Sequence, residues 1–298
     1  MQGNSKGQAF GLLFFTFFIW GSIYVAGKFI SDDLPPALIA CLRCCIALLP
    51  LLYMSRHHWD VKIDRTDWIY FIMVGVLGYF LSVFLIQLGI SLTGAATASL
   101  INALTPVSVT ILAALLLNET ITHIKVICLI LALAGATVIT WGSENRGQML
   151  GIIAVLGAVV SWGFASVFMR KLTVKYPPIL VTTYGMAASL ICHIPIGLWS
   201  ATTHEVHFSL RVVFVILFLG FLGSGFSQYT WTKSLSLLPA STCSLFYPLQ
   251  PVFSAVLGAW LLGEQFTYSF FLGLILISLD VALSTWETKK ISNPEKNS

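Results

Sequence analysis

Ten apolar segments, each about 20 residues long, follow one another along this chain of 298 residues. About 20 helical residues cross the hydrocarbon core of a bilayer, whereas the strands of a transmembrane β-barrel alternate apolar and polar residues. Charged residues make up 9% of the chain, against about 25% in soluble domains. We therefore predict an all-α integral membrane protein with ten transmembrane helices in a lipid bilayer. The segments cover residues 10–30, 36–54, 67–90, 95–117, 123–141, 148–169, 179–200, 211–232, 239–262 and 267–286.

The distribution of basic residues predicts how these helices are oriented. If the amino terminus is cytoplasmic, 12 of the 16 Lys and Arg residues fall on the cytoplasmic side, and only Arg146 and Arg211 on the opposite side. Because Lys and Arg are concentrated in cytoplasmic loops, both termini are expected in the cytoplasm. The absence of transit-peptide features favours a multi-pass protein of the plasma membrane.

The second half of the chain repeats the first. Residues 94–122 match residues 239–267 at 13 of 29 positions, at a separation of 145. A separation of 142 aligns Trp20 with Trp162 and Lys28 with Arg170. The chain therefore consists of one five-helix unit that occurs twice.

The expected organisation is a first repeat at residues 1–145, a second at residues 146–288 and a cytoplasmic tail at residues 289–298. Because five helices is an odd number, the second copy enters the membrane from the opposite side. Inverted repeats are typical of secondary transporters, which bind substrate near the midplane between the halves and expose it alternately to each side. The sequence thus favours a transporter as a class.

Other classes are less consistent with the sequence. No constellation of His, Asp or Glu suggests an enzyme, and no Gly-rich phosphate loop suggests ATP hydrolysis. No metal site or cofactor is expected, and the scattered basic residues do not form a nucleic-acid track. A non-transporting membrane sensor remains the alternative from another class, although the loops are too short for a signalling domain. The chain could act as a monomer or a homodimer.

Several of these residues resemble a known family, the EamA family of the drug/metabolite transporter superfamily. The resemblance covers nearly the whole chain and includes Trp20-Gly21 with a basic residue eight positions after the tryptophan, and Arg43 in the second segment. It also includes Leu117-Asn118-Glu119 and Leu262-Gly263-Glu264, the first with Asn where the pattern usually has Gly. The resemblance implies a ten-helix carrier of metabolites or amino acids, often an exporter.

Arg43 is the first candidate for substrate binding. An uncompensated charge this deep in a segment costs at least about 2.5 kcal/mol, so it requires a cavity or a partner. It would attract a carboxylate or phosphate, or it would form a structural bridge to helix-end carbonyls, to Asp32 or to Asp33. The expected substrates are small amphipathic metabolites such as amino acids, and the alternative is an anionic or nucleotide-linked metabolite.

Three further charges are candidates for gating or ion coupling. Lys28 lies near the outer end of the first segment and Arg170 near the inner end of the sixth. They extend towards the lipid headgroups, or each pairs with an acid only when its own side of the protein is closed. Asp280 lies deep in the last segment, where it either couples transport to protons or has a structural role.

Two prolines at equivalent positions predict helix kinks. Pro106 and Pro251 lack the amide hydrogen that a helix requires, and each leaves a carbonyl without its usual partner, four residues earlier. The two pairs of equivalent polar residues around these kinks would form a substrate pocket, unless the kinks serve helix packing alone. These residues are Asn102 with Tyr247 and Thr105 with Gln250.

Aromatic residues and an amide complete the predicted site. Trp20 and Trp162 recur in the repeat at mid-segment and are the best candidates for aromatic walls, with Tyr184 as a third. Any single aromatic residue could instead be a packing or interfacial residue. Gln87 would add hydrogen-bonding capacity, although a helix–helix hydrogen bond would also explain it.

Overall fold

The structure of the protein, a computed structural model, describes residues 2–117 and 146–263 apart from 239, 245 and 248, together with isolated positions between 127 and 130 and between 268 and 279. This part of the chain is helical and contains no β-strand. It includes eight of the ten predicted segments. The other two, at 123–141 and 267–286, and with them Asp280, lie outside the described residues.

The eight segments form ten helical pieces, because two of them are broken. In the described part of the chain, seven helical segments are long and apolar enough to cross a membrane, one of which, residues 95–116, comprises two of the pieces; residues 249–262 form a shorter apolar helix. The helices are α1 (Gln2–Phe29), α2 (Pro36–Ser55), α3 (Trp68–Thr93), α4 (Ala95–Asn102), α5 (Thr105–Leu117), α6 (Arg146–Thr173), α7 (Pro178–Thr203), α8 (Leu210–Leu237), α9 (Ala240–Ser244) and α10 (Leu249–Leu262).

Proline pairs set the start of α2 and of α7. Pro35 and Pro177 have extended backbone (ψ 147° and 134°), and the next proline occupies the first helical position in each case. Proline is favoured there because its fixed φ suits a helix and its missing amide would have no partner in the first turn. The residue before a proline is pushed towards extended backbone, so the pair gives a sharp helix start.

The packing follows the repeat. In one group α3 and α5 pack on α6, and in the other α8 and α10 pack on α1. These groups are equivalent under the repeat, and α4 contacts α10 between them. Helices α2 and α7 pack on each other; α2 also contacts α8, and α7 also contacts α3.

Both α3 and α8 contain a π-helical stretch, and the two stretches start 145 residues apart, at Val74–Ser82 and Leu219–Phe226. Each begins beside a glycine that lets another helix approach. A Cβ on Gly75 would lie 2.5 Å from the Gly185 carbonyl oxygen of α7, and a Cβ on Gly220 would lie 2.5 Å from the Ile46 Cβ of α2. This widening of the helix was not predicted from the sequence.

Large apolar side chains cover the outer surface of the helices. Examples are Leu115, Ile191 and Trp260, all mainly exposed. In water so many exposed apolar side chains would promote aggregation, whereas a lipid environment solvates them. The surface therefore agrees with the apolar lengths of the helices in indicating a multi-pass membrane protein.

Candidate functional site

A pocket lies between the two helix groups, at the level of the predicted kinks. It comprises about 440 Å³ of space between atoms, counted out to its mouth. Its lining consists of Trp20, Ile23, Tyr24, Arg43, Ser82, Val83, Ile86, Asn102, Trp162, Gln228, Tyr247 and Gln250.

The two broken helices form part of this lining. Helix α4 ends at Asn102 and α5 starts at Thr105, one residue before Pro106; α9 ends at Ser244 and α10 starts two residues before Pro251. The helices are thus interrupted just before both prolines, at equivalent positions in the two repeats. Both breaks lie beside the pocket, because residues next to each of them line it.

The carbonyls near these breaks find local partners. The Thr105 hydroxyl donates to the Asn102 carbonyl oxygen at 2.6 Å, and the backbone N–H of Gln250 donates to the Tyr247 carbonyl oxygen at 2.9 Å. The Asn102 side-chain amide donates to Gln250 Oε1 at 3.0 Å and so connects the two breaks. Asn102, Tyr247 and Gln250 line the pocket, whereas Thr105 is buried behind it.

Arg43 places its cation in the pocket wall. Its side chain is only 3% exposed, and its Nε donates to the Ser224 hydroxyl of α8 at 2.6 Å. Asp33 instead accepts a hydrogen bond from Arg211 at 2.6 Å, and Asp32 is exposed. A bridge from Arg43 to either acid is therefore wrong, and Arg43 has no ion pair within the described residues.

The repeat-related counterpart of Arg43 carries no charge. Gly185 of α7 lies 142 residues later, and Tyr79 of α3 lies 145 residues before Ser224. A Cβ on Gly185 would lie 2.9 Å from the Tyr79 ring, so the ring occupies the space that a side chain there would need. The pocket thus has one buried arginine and not a symmetric pair.

The equivalent tryptophans meet in the pocket but have different hydrogen bonds. Their rings are 5.6 Å apart and nearly perpendicular. Trp20 Nε1 donates to the Ser227 hydroxyl at 2.9 Å, whereas Trp162 Nε1 has no partner in the described structure. Tyr247 OH and Gln228 Oε1 are likewise buried without a partner there.

Two further predicted binding residues, like Thr105, lie outside the pocket lining. Gln87 is buried and donates from Nε2 to the Gly27 carbonyl oxygen at 3.4 Å, so it joins α3 to α1. Tyr184 packs against Trp68 and Phe71, with ring centroids 5.6 and 5.9 Å apart. Neither residue lines the pocket, because each points to a neighbouring helix.

The two candidate gating cations occupy equivalent positions between the helix groups. Lys28 of α1 donates to the Ser91 carbonyl oxygen near the end of α3 at 3.3 Å. Arg170 of α6 donates to the Leu235 carbonyl oxygen near the end of α8 at 2.5 Å. In both cases the partner is therefore a carbonyl at the carboxyl end of a helix and not an acidic side chain. Such a helix end attracts cations because of the helix dipole.

Several pocket residues were not predicted. Ile23, Val83 and Ile86 supply aliphatic lining, Tyr24 a phenol ring and Ser82 a hydroxyl. One signal was available for Ser82, since it aligns with Ser227 at the separation of 145. The aliphatic residues carry no sequence signal that separates them from ordinary packing residues.

A charged cluster outside the membrane-spanning segments joins the start of α3 to the start of α7. Lys175 Nζ lies 2.9 Å from Asp67 Oδ2, and the Tyr176 hydroxyl donates to the same oxygen at 2.9 Å. These two hydrogen bonds hold the pKa of the Asp67 carboxyl below its usual value, and Asp67 raises the pKa of Lys175. Burial raises the pKa of Tyr176.

Within the described residues, no group of three or more His, Cys, Asp or Glu side chains could hold a metal ion. The pocket lining likewise contains no Asp or Glu. The site therefore consists of one guanidinium, neutral polar groups and aromatic walls. Such a site can bind a small polar molecule with an anionic group.

Comparisons with known proteins identify the class as a membrane transporter. The model of the EamA-like transporter family matches residues 8–141 and again residues 149–286. The chain therefore belongs to this family, in the drug/metabolite transporter superfamily, and it is not an enzyme.

Individual relatives agree with this class. The uncharacterized transporter YoaV of Bacillus subtilis strain 168 is 27% identical over 277 residues, which cover 90% of this chain and 93% of the relative. An uncharacterized transporter of Archaeoglobus fulgidus is 28% identical over 270 residues, covering 91% and 96%. A solved crystal structure matches with a TM-score of 0.70 at 20% identity, over 96% of this chain and 99% of the other, and so shows the same fold.

Proposed function

We propose that this transporter exports small amphipathic metabolites, amino acids or related compounds, across the plasma membrane by alternating access. The two repeats would be inverted, with both termini in the cytoplasm. Substrate would bind in the pocket between the helix groups, which would rock to open it to one side at a time. One chain contains the whole pocket lining, so a monomer would suffice, whether or not it forms a homodimer.

The buried cation of Arg43 is the observation that carries this proposal. Burying a charge is costly unless an opposite charge or hydrogen bonds compensate it, and one Ser224 hydroxyl occupies only one of the five guanidinium N–H groups. A substrate carboxylate would supply the missing partner in a low-dielectric site. Trp20 and Trp162 beside it would hold the apolar part of the substrate.

Lys28 and Arg170 would act on opposite sides of the membrane. Each joins the two helix groups, since Lys28 connects α1 to α3 and Arg170 connects α6 to α8. Breaking one contact would let the groups separate at that end. Substituting both cations should therefore change the rate of transport more than the affinity for substrate.

A nucleotide-linked or other multiply charged anion is the alternative substrate. It would need more than one cation, yet Arg43 is the single cationic residue of the described lining. Lys28, the second candidate, lies outside the lining with its ammonium group on a helix-end carbonyl. The pocket therefore favours an anion with one negative charge.

The test is uptake of a panel of labelled amino acids into proteoliposomes that contain the full chain, with and without a pH gradient. We expect saturable uptake of one chemical class, with a half-saturation constant about tenfold or more higher in Arg43→Gln, since truncating one partner of a buried charge contact costs 2 kcal/mol or more. Arg65→Gln, which removes an exposed charge, is the matched control. Dependence on the gradient would support proton coupling, for which Asp280→Asn is the next variant.

The alternatives predict different results. Failure of every amino acid, together with binding of phosphorylated compounds, would favour the anionic alternative. Ligand-induced stabilisation of the protein without any flux would favour a sensor.

A further inference from the structure

Three buried polar atoms in the pocket have no hydrogen-bond partner within the described residues: Trp162 Nε1, Tyr247 OH and Gln228 Oε1. Buried polar groups are almost always paired, because an unpaired one loses its hydration without compensation. Seven buried side-chain atoms of the described residues lack a partner, and these three belong to residues that line the pocket, so a ligand in the pocket is the candidate partner for them. All three belong to the second repeat, whereas Arg43 belongs to the first.

The hydrogen-bonding capacity of these atoms is mixed. An indole nitrogen only donates, an amide oxygen only accepts, and a tyrosine hydroxyl does both. A ligand group that donates and accepts at the same time would satisfy the set. Hydroxyl and secondary amide groups have this property, and an ammonium group does not, because it only donates.

The charge of the pocket leads to the same conclusion. The described lining contains a guanidinium and no carboxylate. An ammonium group would have to leave water for a site that already holds a positive charge, and it would find neutral amide and hydroxyl oxygens and aromatic faces there but no carboxylate. Burying a charge without an ionic partner is strongly unfavourable. A neutral group would carry no such penalty.

The two tryptophans have different parts in this arrangement. The Nε1 of Trp20 already donates to Ser227, and the Nε1 of its counterpart Trp162 is unpaired. Of the two equivalent indoles, only that of Trp162 has a donor left for a ligand. Trp20 then contributes its ring as a wall.

We propose that the pocket selects carboxylates whose second polar group is uncharged, such as 2-hydroxy acids and N-acylated amino acids, over zwitterionic amino acids. The carboxylate pairs with Arg43, and the hydroxyl or amide pairs with Trp162, Tyr247 and Gln228. This inference rests on the proposed function and narrows it to the related compounds within that substrate class.

Competition at neutral pH with matched ligands tests the proposal. The probes are L-phenylalanine, L-phenyllactate and N-acetyl-L-phenylalanine, and the corresponding three compounds with a leucine side chain. Their affinities are measured by calorimetry on the purified full chain and by competition in proteoliposomes. We expect the hydroxy acid and the acetylated compound to bind about tenfold or more tighter than the zwitterion with the same side chain.

Two variants examine the residues directly. Gln228→Glu adds a carboxylate to the pocket and should reverse the preference towards the zwitterion, whereas Gln148→Glu adds the same charge to α6 at a residue outside the lining and should leave the preference unchanged. Trp162→Phe should reduce the affinity for the hydroxy acid about two- to tenfold and change that for the zwitterion less.

The outcomes separate this inference from the proposed function. Equal or tighter binding of the zwitterions in the wild-type protein would overturn the inference and leave the transporter proposal intact. If none of the six carboxylates bound, the role of Arg43 in substrate binding would fail as well. The comparison in the wild-type protein needs no variant, so poor folding of a variant cannot obscure the result.

Discussion

Helix α2 and helix α7 occupy equivalent places in the two repeats, yet only α2 contributes a residue, Arg43, to the described pocket lining. From α2, the long cationic side chain of Arg43 reaches Ser224 in the π-helical stretch of α8. From α7, Gly185 presents no side chain, and Tyr79 from the π-helical stretch of α3 fills the space instead. Both large residues, Arg43 and Tyr79, thus belong to the first repeat, and the small residues that face them, Ser224 and Gly185, belong to the second.

This difference shows which features the repeat preserves. The backbone features recur: the proline pairs, the π-helical stretches and the helix breaks are all found twice. The side chains around the pocket do not recur in the same way, because a second arginine would place two like charges in one low-dielectric cavity, where repulsion is strong. A repeated framework can thus hold a chemically polarised site.

The largest effect is expected where the framework is the same in both repeats. Gly75→Ala and Gly220→Ala should each lower the free energy of unfolding by about 1–3 kcal/mol, because each new Cβ would be forced into a neighbouring helix. Thermal unfolding in detergent measures this effect. Gly11→Ala is the matched control, since nothing lies within 4 Å of a Cβ there. Similar values for Gly11 and the other two would show that close helix approach is unimportant.

A smaller effect is expected at the position where the repeats differ. Gly185→Ala should cost about 1 kcal/mol, because the three atoms nearest to the new Cβ lie beyond the Cβ in the side chains of Val74 and Tyr79, whereas a carbonyl oxygen or a Cβ is nearest at Gly75 and Gly220. Val74→Ala in the same protein should restore much of the loss by vacating that space. If the double variant were no more stable than Gly185→Ala alone, the ring of Tyr79 and not Val74 would limit the space.

The tryptophan pair provides a further comparison. Trp20→Phe should lower the free energy of unfolding by about 1 kcal/mol more than Trp162→Phe, because only Trp20 loses a hydrogen bond, to Ser227. Both substitutions remove a similar apolar area, so each serves as the control for the other. Chemical unfolding without ligand is the measurement. Equal losses would contradict the difference in hydrogen bonding.

The smallest effect concerns the ion pair between Asp67 and Lys175. Because the pKa of Asp67 is lowered in the folded protein, its stabilisation is complete above its ordinary pKa of about 4 and is lost as the pH falls through the lower folded value. The pKa of Lys175 is raised in the folded protein. Its stabilisation is therefore complete below its ordinary pKa of about 10.4 and is lost as the pH rises through the higher folded value. The contribution should therefore be constant between these limits.

Thermal unfolding of Asp67→Asn and wild type at a series of pH values would check this. The difference in melting temperature should be small, constant near neutral pH, and smaller below about pH 4. Asp33→Asn, which breaks the pair with Arg211, provides a second ion pair for comparison. A difference that grew as the pH fell would contradict the assigned direction of the shift.

Much of the fold could be predicted because membranes impose strong rules on sequence. Apolar length marks the helices, and proline removes a specific hydrogen bond, so the breaks at Pro106 and Pro251 could be located from the sequence. The pocket residues Asn102, Tyr247 and Gln250 followed from those breaks. The π-helical stretches did not, because an extra residue per turn leaves the apolar composition unchanged.

Side-chain direction explains the other differences. Gln87 lies on α3, which also carries pocket residues, and Tyr184 lies on α7, which packs against α3. Their positions around the helix axes direct Gln87 towards α1 and Tyr184 towards Trp68. A chain of almost uniformly apolar helices gives little indication of that rotation, since lipid and protein surroundings are both apolar. The partner of Arg43 was also beyond prediction, because Ser224 is 181 residues away in sequence.

The hydrogen bond between Asn102 and Gln250 has a mechanical consequence. It joins the two broken helices at one point, about seven residues, and so about 10 Å, from the start of α4. If that point acts as a fulcrum, a tilt of about 10° displaces the helix end by less than about 2 Å while the joined residues barely move. Two helices that are hydrogen-bonded at one central point can therefore tilt together, so that motion at one end reaches the other while the Asn102–Gln250 hydrogen bond stays intact.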